Sequence, residues 1–274
     1  MHRLSAVIPA VLLILGLAAC GASPVAQPTT ALPKAASDPV IVFAAASLTD
    51  AFEVIAQTFE RDNPSAEVVL NFAGSQLLAA QLNEGAPADV FASAHRTQLE
   101  NVIQGGRVIS GTEQTFARNR LVIVVPKDNP AGLQTLQDLA KPGIKLVLAD
   151  VVVPVGRYSL EFLAQASMLP EYTATYSPTV LANVVSYEDN VRAVLAKVLL
   201  GEADAGIVYT SDVALDREQV RQISIPGELN TLASYPIAPI ADSKNPELAR
   251  QFIDFTLAPV GQEILGRYGF IEVN

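Results

Sequence analysis

The chain has 274 residues, 50% of them hydrophobic and 17% charged, with 28 acidic against 18 basic residues and a net charge of -10. That length buries a sizeable core in one large domain or two small ones, and the acidic balance argues against nucleic acid as a partner. One cysteine excludes an internal disulfide and a clustered thiolate metal site, and two histidines, His2 and His95, leave little for histidine chemistry.

Met1-His2-Arg3 is a short cationic start, followed by an apolar run from Ala6 to Leu17 that is too short to span a bilayer comfortably. Small residues follow it, so 1–19 reads as a secretory signal. Leu17-Ala18-Ala19-Cys20-Gly21 resembles a bacterial lipobox, which implies a lipid attached at Cys20. Residues 1–19 contain Arg3 and no acid, so their removal takes the net charge from -10 to -11. The stretch 20–38 is rich in Ala, Ser, Thr and Pro and has too few large apolar side chains for a core, so it reads as a flexible tether. The folded part is expected to begin near Pro39.

From there strands and helices alternate. Ile41–Ala44 is β-prone, and Leu48, Phe52, Ile55, Ala56 and Phe59 recur at helical spacing until Asn63-Pro64 closes the helix. A strand over 68–72, a turn at Gly74-Ser75, a helix over 77–83 and a strand over 90–92 follow. Leu121–Val125 is the strongest apolar run and is ended by Pro126. A second series has strands over 144–149 and 206–209 and helices over 158–166 and 191–200, the last with Val191, Val194, Leu195, Val198 and Leu199 on one face. Two helices, 246–257 and 260–267, close the chain after Ser234-Tyr235-Pro236-Ile237. The order predicts an α/β protein of two doubly wound, mostly parallel lobes with a cleft between them. Their expected boundaries are 39–119 plus 234–274 for one and 120–233 for the other.

Four places share a physical feature: a strand ends, a small or polar residue follows, and a helix begins. They are Ser47, Ser75, Val153-Pro154-Val155-Gly156 and Glu188-Asp189-Asn190-Val191. Helix starts present unpaired N–H groups and the positive end of the helix dipole, so they bind anions without any basic residue. A lone serine at such a place is usually a plain N-cap; several in one two-lobed chain suggest more.

Phe43-Ala44-Ala45-Ala46-Ser47-Leu48, Phe72-Ala73-Gly74-Ser75-Gln76-Leu77 and Gly85-Ala86-Pro87-Ala88-Asp89-Val90-Phe91-Ala92-Ser93 resemble, in order, motifs of the molybdate-binding proteins of bacterial ABC transporters. Val153-Pro154-Val155-Gly156, Glu188-Asp189-Asn190-Val191-Arg192, Gly206-Ile207-Val208-Tyr209-Thr210-Ser211-Asp212 and the close, Gly261–Phe270, are similar as well. The resemblance runs from Val40 almost to the end of the chain. It implies a type II periplasmic binding protein that closes on a tetrahedral oxyanion, with no catalysis and no cofactor. The implied ligand is molybdate or tungstate, and sulfate is an alternative. Five residues would surround it: Ser47 and Ser75 through backbone N–H and hydroxyl, Val155 and Val191 through backbone N–H, and Tyr209 through its phenol. The metal centre would be held only through its oxo groups. The implied partner is an ABC permease, and the implied setting is a lipid-anchored monomer on the outer side of a bacterial membrane, periplasmic or cell-surface.

Arg157 and Arg192 each follow a proposed donor and are expected to be solvated surface residues. Glu188 and Asp189 are expected to favour a helix start by charge. A serine hydrolase needs a base, and His95, within Ala94-His95-Arg96, is expected at the surface. The chain also lacks a Gly-x-Ser-x-Gly elbow, a phosphate-binding lysine loop and an HExxH motif.

Overall fold

The computed structural model describes residues 38–273. The signal segment, Cys20 and all of the tether but Asp38 lie outside the described residues. Among the described residues no helix is long and apolar enough to cross a membrane.

The chain builds β1 (Val40–Ala45), α1 (Thr49–Asp62), β2 (Val68–Ala73), α2 (Ser75–Asn83), β3 (Val90–Ala92), α3 (Arg96–Gln104), β4 (Gln114–Asn119) and β5 (Leu121–Pro126). After a short 3-10 turn come β6 (Leu146–Ala149), α4 (Pro154–Ala166), α5 (Tyr176–Leu181), β7 (Val184–Glu188), α6 (Val191–Leu199), β8 (Ala205–Tyr209) and β9 (Val220–Ser224). Strand β10 (Ala233–Pro239) and helices α7 (Pro246–Leu257) and α8 (Pro259–Arg267) complete it. One sheet has the order β2-β1-β3-β10-β4 and the other β7-β6-β8-β5-β9.

Local chemistry explains the elements. Along β1 the side chains alternate between two cores: Val40, Val42 and Ala44 join the main cluster, while Phe43 packs with Leu78, Leu82 and Phe91 on the other face. Helix α1 buries Ala51, Phe52, Ile55, Ala56 and Phe59, and the rings of Phe52 and Phe59 meet Phe252 of α7 at 6.0 and 5.5 Å. It stops where Pro64 bars Asn63 from helical backbone, and the Asn63 amide closes the end on the Phe59 carbonyl at 2.9 Å. Residues Leu121–Val125 of β5 are buried throughout, as a strand covered on both faces must be.

The sheets are mixed rather than mostly parallel. Strands β2, β1 and β3 run parallel, as do β7, β6 and β8. Strand β10 runs antiparallel to both neighbours in the first sheet, and β5 does so in the second. The reason lies in the crossings. The chain leaves the first sheet at the end of β4 and, after Arg120 alone, starts β5 in the second. It returns from β9 into β10. A strand that arrives from the cleft must run away from it, while the other strands run toward it.

Several elements are absent from the sequence expectations: α3, β4, α5, β7, β9 and β10. All but β10 are short or half-buried, and β10 is masked as a strand by Pro236 and Pro239 within it. On β7, Val185 and Tyr187 are exposed, so no continuous apolar run marks it as a strand.

Candidate functional site

The carboxyl ends of β1, β2, β6, β7 and β8 converge on one cavity between the two sheets. Its lining includes all five residues singled out by sequence: Ser47, Ser75, Val155, Val191 and Tyr209. Ala45, Ala46, Gly74, Ala94, Val153, Pro154 and Asn190 complete it. Among the described residues no lining side chain carries a charge. The cavity volume is ≈ 10 Å³, about what one water molecule needs and far below that of an organic substrate. Among the described residues no cluster of His, Cys, Asp or Glu could hold a metal ion.

Four of the five are placed by helix starts. Ser47 lies in the 3-10 turn that leads into α1 and has no side-chain cap. Ser75 is the first residue of α2, which is also without a side-chain cap. Pro154 opens α4 with its φ already helical and no N–H to leave unpaired, and Val155 follows. Val191 opens α6, where the Asn190 side chain accepts from the Ala193 N–H at 3.0 Å. The first N–H groups of such turns have no partner within the helix, and here they lie buried: Ser47, Ser75, Val155 and Val191 are at most 4% exposed.

Gly156 lets α4 start this close to its strand. A Cβ there would stand 2.1 Å from the Asp150 carbonyl oxygen and 2.4 Å from that of Ala149. Gly74 plays the same part between the sheets, since a Cβ would come within 2.5 Å of the Asp189 carbonyl oxygen.

The hydroxyls are held as donors. Ser75 Oγ accepts the Ala94 N–H at 3.0 Å, which leaves its own hydrogen for another acceptor. Ser47 Oγ lies 2.9 Å from the Tyr235 hydroxyl. Tyr209 ends β8, is 1% exposed, and its hydroxyl has no hydrogen-bond partner among the described residues. Burial, reinforced by Tyr235, Tyr158 and Asp212, pushes its phenol well above its ordinary value of 10, so it keeps its hydrogen. A buried orphan hydroxyl is rare and asks for a reason; at this position it is one more donor facing the cavity.

Several contacts join the two sides of the cleft. Gln76 Nε2 donates to the Asp189 carbonyl at 2.7 Å, and Gln98 Nε2 to that of Val152 at 3.2 Å. The rings of His95 and Tyr158 lie 4.9 Å apart.

Two expectations need correction here. Arg192 is not a solvated surface residue: it bridges the cleft to Asp50 of α1, and its Nε lies 3.7 Å from Asp212 Oδ1. The direct bond is to Asp50, while Asp212 is buried and its carboxyl stays raised to about 7 even beside the guanidinium. His95 is half-buried rather than on the surface. Its Nδ1 accepts the Thr97 N–H at 3.0 Å and caps α3, and burial, followed by the charge of Arg157, lowers its pKa.

Arg157 is exposed, as expected, with Glu161 3.6 Å away. Glu188 turns from the cavity to Lys197 at 2.6 Å, and the Asp189 side chain accepts from the Asn190 amide. Sequence reasoning missed the pair behind the cavity, Asn119 and Tyr235. Neither lies at a strand-to-helix junction, and no local signal marks them.

A family model described as bacterial extracellular solute-binding protein matches residues 40–271. The molybdate-binding protein ModA of Mycobacterium tuberculosis is 37% identical over 262 residues, covering 95% of each chain. Among solved structures, the periplasmic molybdate-binding protein of Azotobacter vinelandii superposes with a TM-score of 0.74 at 19% identity, over 86% of this chain and all of that one. The sulfate-binding protein SubI of M. tuberculosis superposes with a TM-score of 0.77 at 18% identity, over 87% and 88%. At such identities the two superpositions bear on the fold alone.

Proposed function

Because the chain belongs to the bacterial extracellular solute-binding protein family, we propose that it captures molybdate, or tungstate in its place, for an ABC permease. The carrying observation is a small, uncharged cavity lined by uncapped helix starts and by a buried tyrosine hydroxyl that has no hydrogen-bond partner among the described residues. In this reading Ser47 and Ser75 donate from backbone and hydroxyl, Val155 and Val191 from backbone, and Tyr209 from its phenol. The protein binds and releases; it is not an enzyme.

A dianion loses much hydration energy on burial, and only a full set of donors offsets that cost. Fixed dipoles in a dry cavity act at low dielectric and need no reorganisation when the ion arrives. Donor-only groups favour a fully deprotonated ion, because a protonated one brings a hydrogen with no acceptor to meet it. Size then separates molybdate and tungstate from the smaller sulfate. The lobes, 39–119 plus 234–274 and 120–233, close on the ion, and the closed surface is what the permease reads. Lipid at Cys20 and the tether 20–38 hold the monomer outside the membrane.

Thermal unfolding with molybdate, tungstate or sulfate tests this. At a thousandfold excess over Kd, a ligand adds about 4 kcal/mol of stability and raises Tm. Molybdate and tungstate are expected to do so and sulfate far less; a shift with sulfate alone would overturn the assignment. Ser75→Ala is expected to weaken molybdate binding roughly tenfold or more by calorimetry, the worth of a hydrogen bond to a charged group.

A further inference from the structure

Behind Ser47 lies a buried hydrogen-bond chain. Asn119, the last residue of β4, is 0% exposed, as is Tyr235 of β10. The Asn119 carbonyl oxygen accepts from the Arg120 N–H at 2.9 Å and from the Thr210 hydroxyl at 2.8 Å. Two donors on one oxygen fix the orientation of the amide. Its NH2 group therefore faces Ser211 Oγ at 2.8 Å and the Tyr235 oxygen at 3.4 Å. An amide nitrogen only donates, so the Tyr235 oxygen accepts. The remaining hydrogen bond of the Tyr235 hydroxyl is to Ser47 Oγ at 2.9 Å, which takes the Tyr235 hydrogen. Burial keeps this phenol protonated, well above its ordinary value of 10.

We propose that Asn119 and Tyr235 are specificity-determining positioning residues: they fix the sense of a relay, Asn119 to Tyr235 to Ser47, so that Ser47 keeps its hydrogen for the ligand. Neither residue lines the cavity; both act through Ser47. The relay does for Ser47 what the Ala94 N–H does for Ser75. A chain of donors running one way also polarises its last member, which strengthens the bond to an anion. This inference rests on the proposed oxyanion reading of the cavity.

The test reverses the relay. In Asn119→Asp a carboxylate replaces the amide at nearly the same shape. Arg120 and Thr210 still donate to it, and Ser211 and Tyr235 now donate to it as well. Tyr235 then accepts from Ser47, which turns a lone pair toward the ligand. Molybdate and hydrogen arsenate are the probes: both are tetrahedral dianions near neutral pH, and only arsenate carries a proton. Equal charge cancels the repulsion from the new carboxylate in their affinity ratio. Discrimination against arsenate, read by calorimetry, is expected to narrow roughly tenfold in Asn119→Asp, and Ser47→Ala is expected to abolish the difference. Tyr235→Phe, the milder variant, is expected to weaken molybdate severalfold, again only while Ser47 is present. If the arsenate-to-molybdate ratio in Asn119→Asp equals that of the wild type, or if Tyr235→Phe acts equally with and without Ser47, the relay has no role in specificity. A wild-type protein that binds no tetrahedral oxyanion overturns the reading beneath the inference instead.

Discussion

Around the cavity no lining side chain is charged, yet one residue along α6 from Val191 the cleft is crossed by ions alone, with Arg192 between Asp50 and Asp212. The two regions sit side by side and close the same gap. A fixed cation attracts any anion of roughly the right size, whereas neutral dipoles bind only where their geometry is met. Keeping the arginine occupied by two carboxylates leaves recognition to the dipoles. On the proposed reading, the charged seam holds the halves together and the neutral cavity chooses what they close on.

The sharpest way to break that division is Arg192→Ala. It leaves the buried Asp212 without its cation, and removing one partner of such a pair costs about 3–5 kcal/mol. The urea midpoint is expected to fall sharply. If stability holds while molybdate affinity collapses, the arginine belongs to recognition rather than to the seam.

A smaller effect appears in pH dependence. Burial, only partly countered by Arg192 and the Tyr209 N–H, raises the Asp212 carboxyl from 3.8 to about 7. A raised folded pKa means that the folded state binds the proton more tightly than the unfolded one. The Asp212 contribution is therefore fully present below about pH 4 and is lost as pH rises to about 7. Relative to Asp212→Asn, wild-type stability is expected to decline across that window, by up to about 4 kcal/mol, and to level off above it. Parallel pH profiles for the two proteins would remove Asp212 from the balance.

The smallest effect is expected of Arg157→Ala. Arg157 follows Val155 closely in sequence but is exposed beside Glu161, and exposed pairs contribute little. Molybdate affinity is expected to stay within about twofold; a larger loss would bring a cation back into recognition.

What was legible in the sequence follows from how local each feature is. A helix start is written in adjacent residues, so Ser47, Ser75, Val155 and Val191 could be named from strand-to-helix junctions and motif resemblance, and the structure gathers them around one cavity with Tyr209. Strands such as Leu121–Val125 announce themselves by continuous apolar runs. Strand β7, alternating and half-exposed, does not. The antiparallel sense of β5 and β10 was hidden too, because it depends on which side of the cleft the chain arrives from.

Arg192 shows the limit most clearly. Its sequence neighbours place it next to a proposed donor, and a long charged side chain there reads as solvated; Asp50, 142 positions away, decides otherwise. His95 and the pair Asn119–Tyr235 follow the same rule. The sequence alone determined the acidic, cysteine-poor character of the chain, its alternating elements and the helix starts that supply donors, since each depends on neighbours within a few residues. The tertiary structure decided which of those donors share a cavity, that no charge enters it, and which way the hydroxyls behind it point, because burial and hydrogen-bond direction depend on residues the chain brings together only when folded.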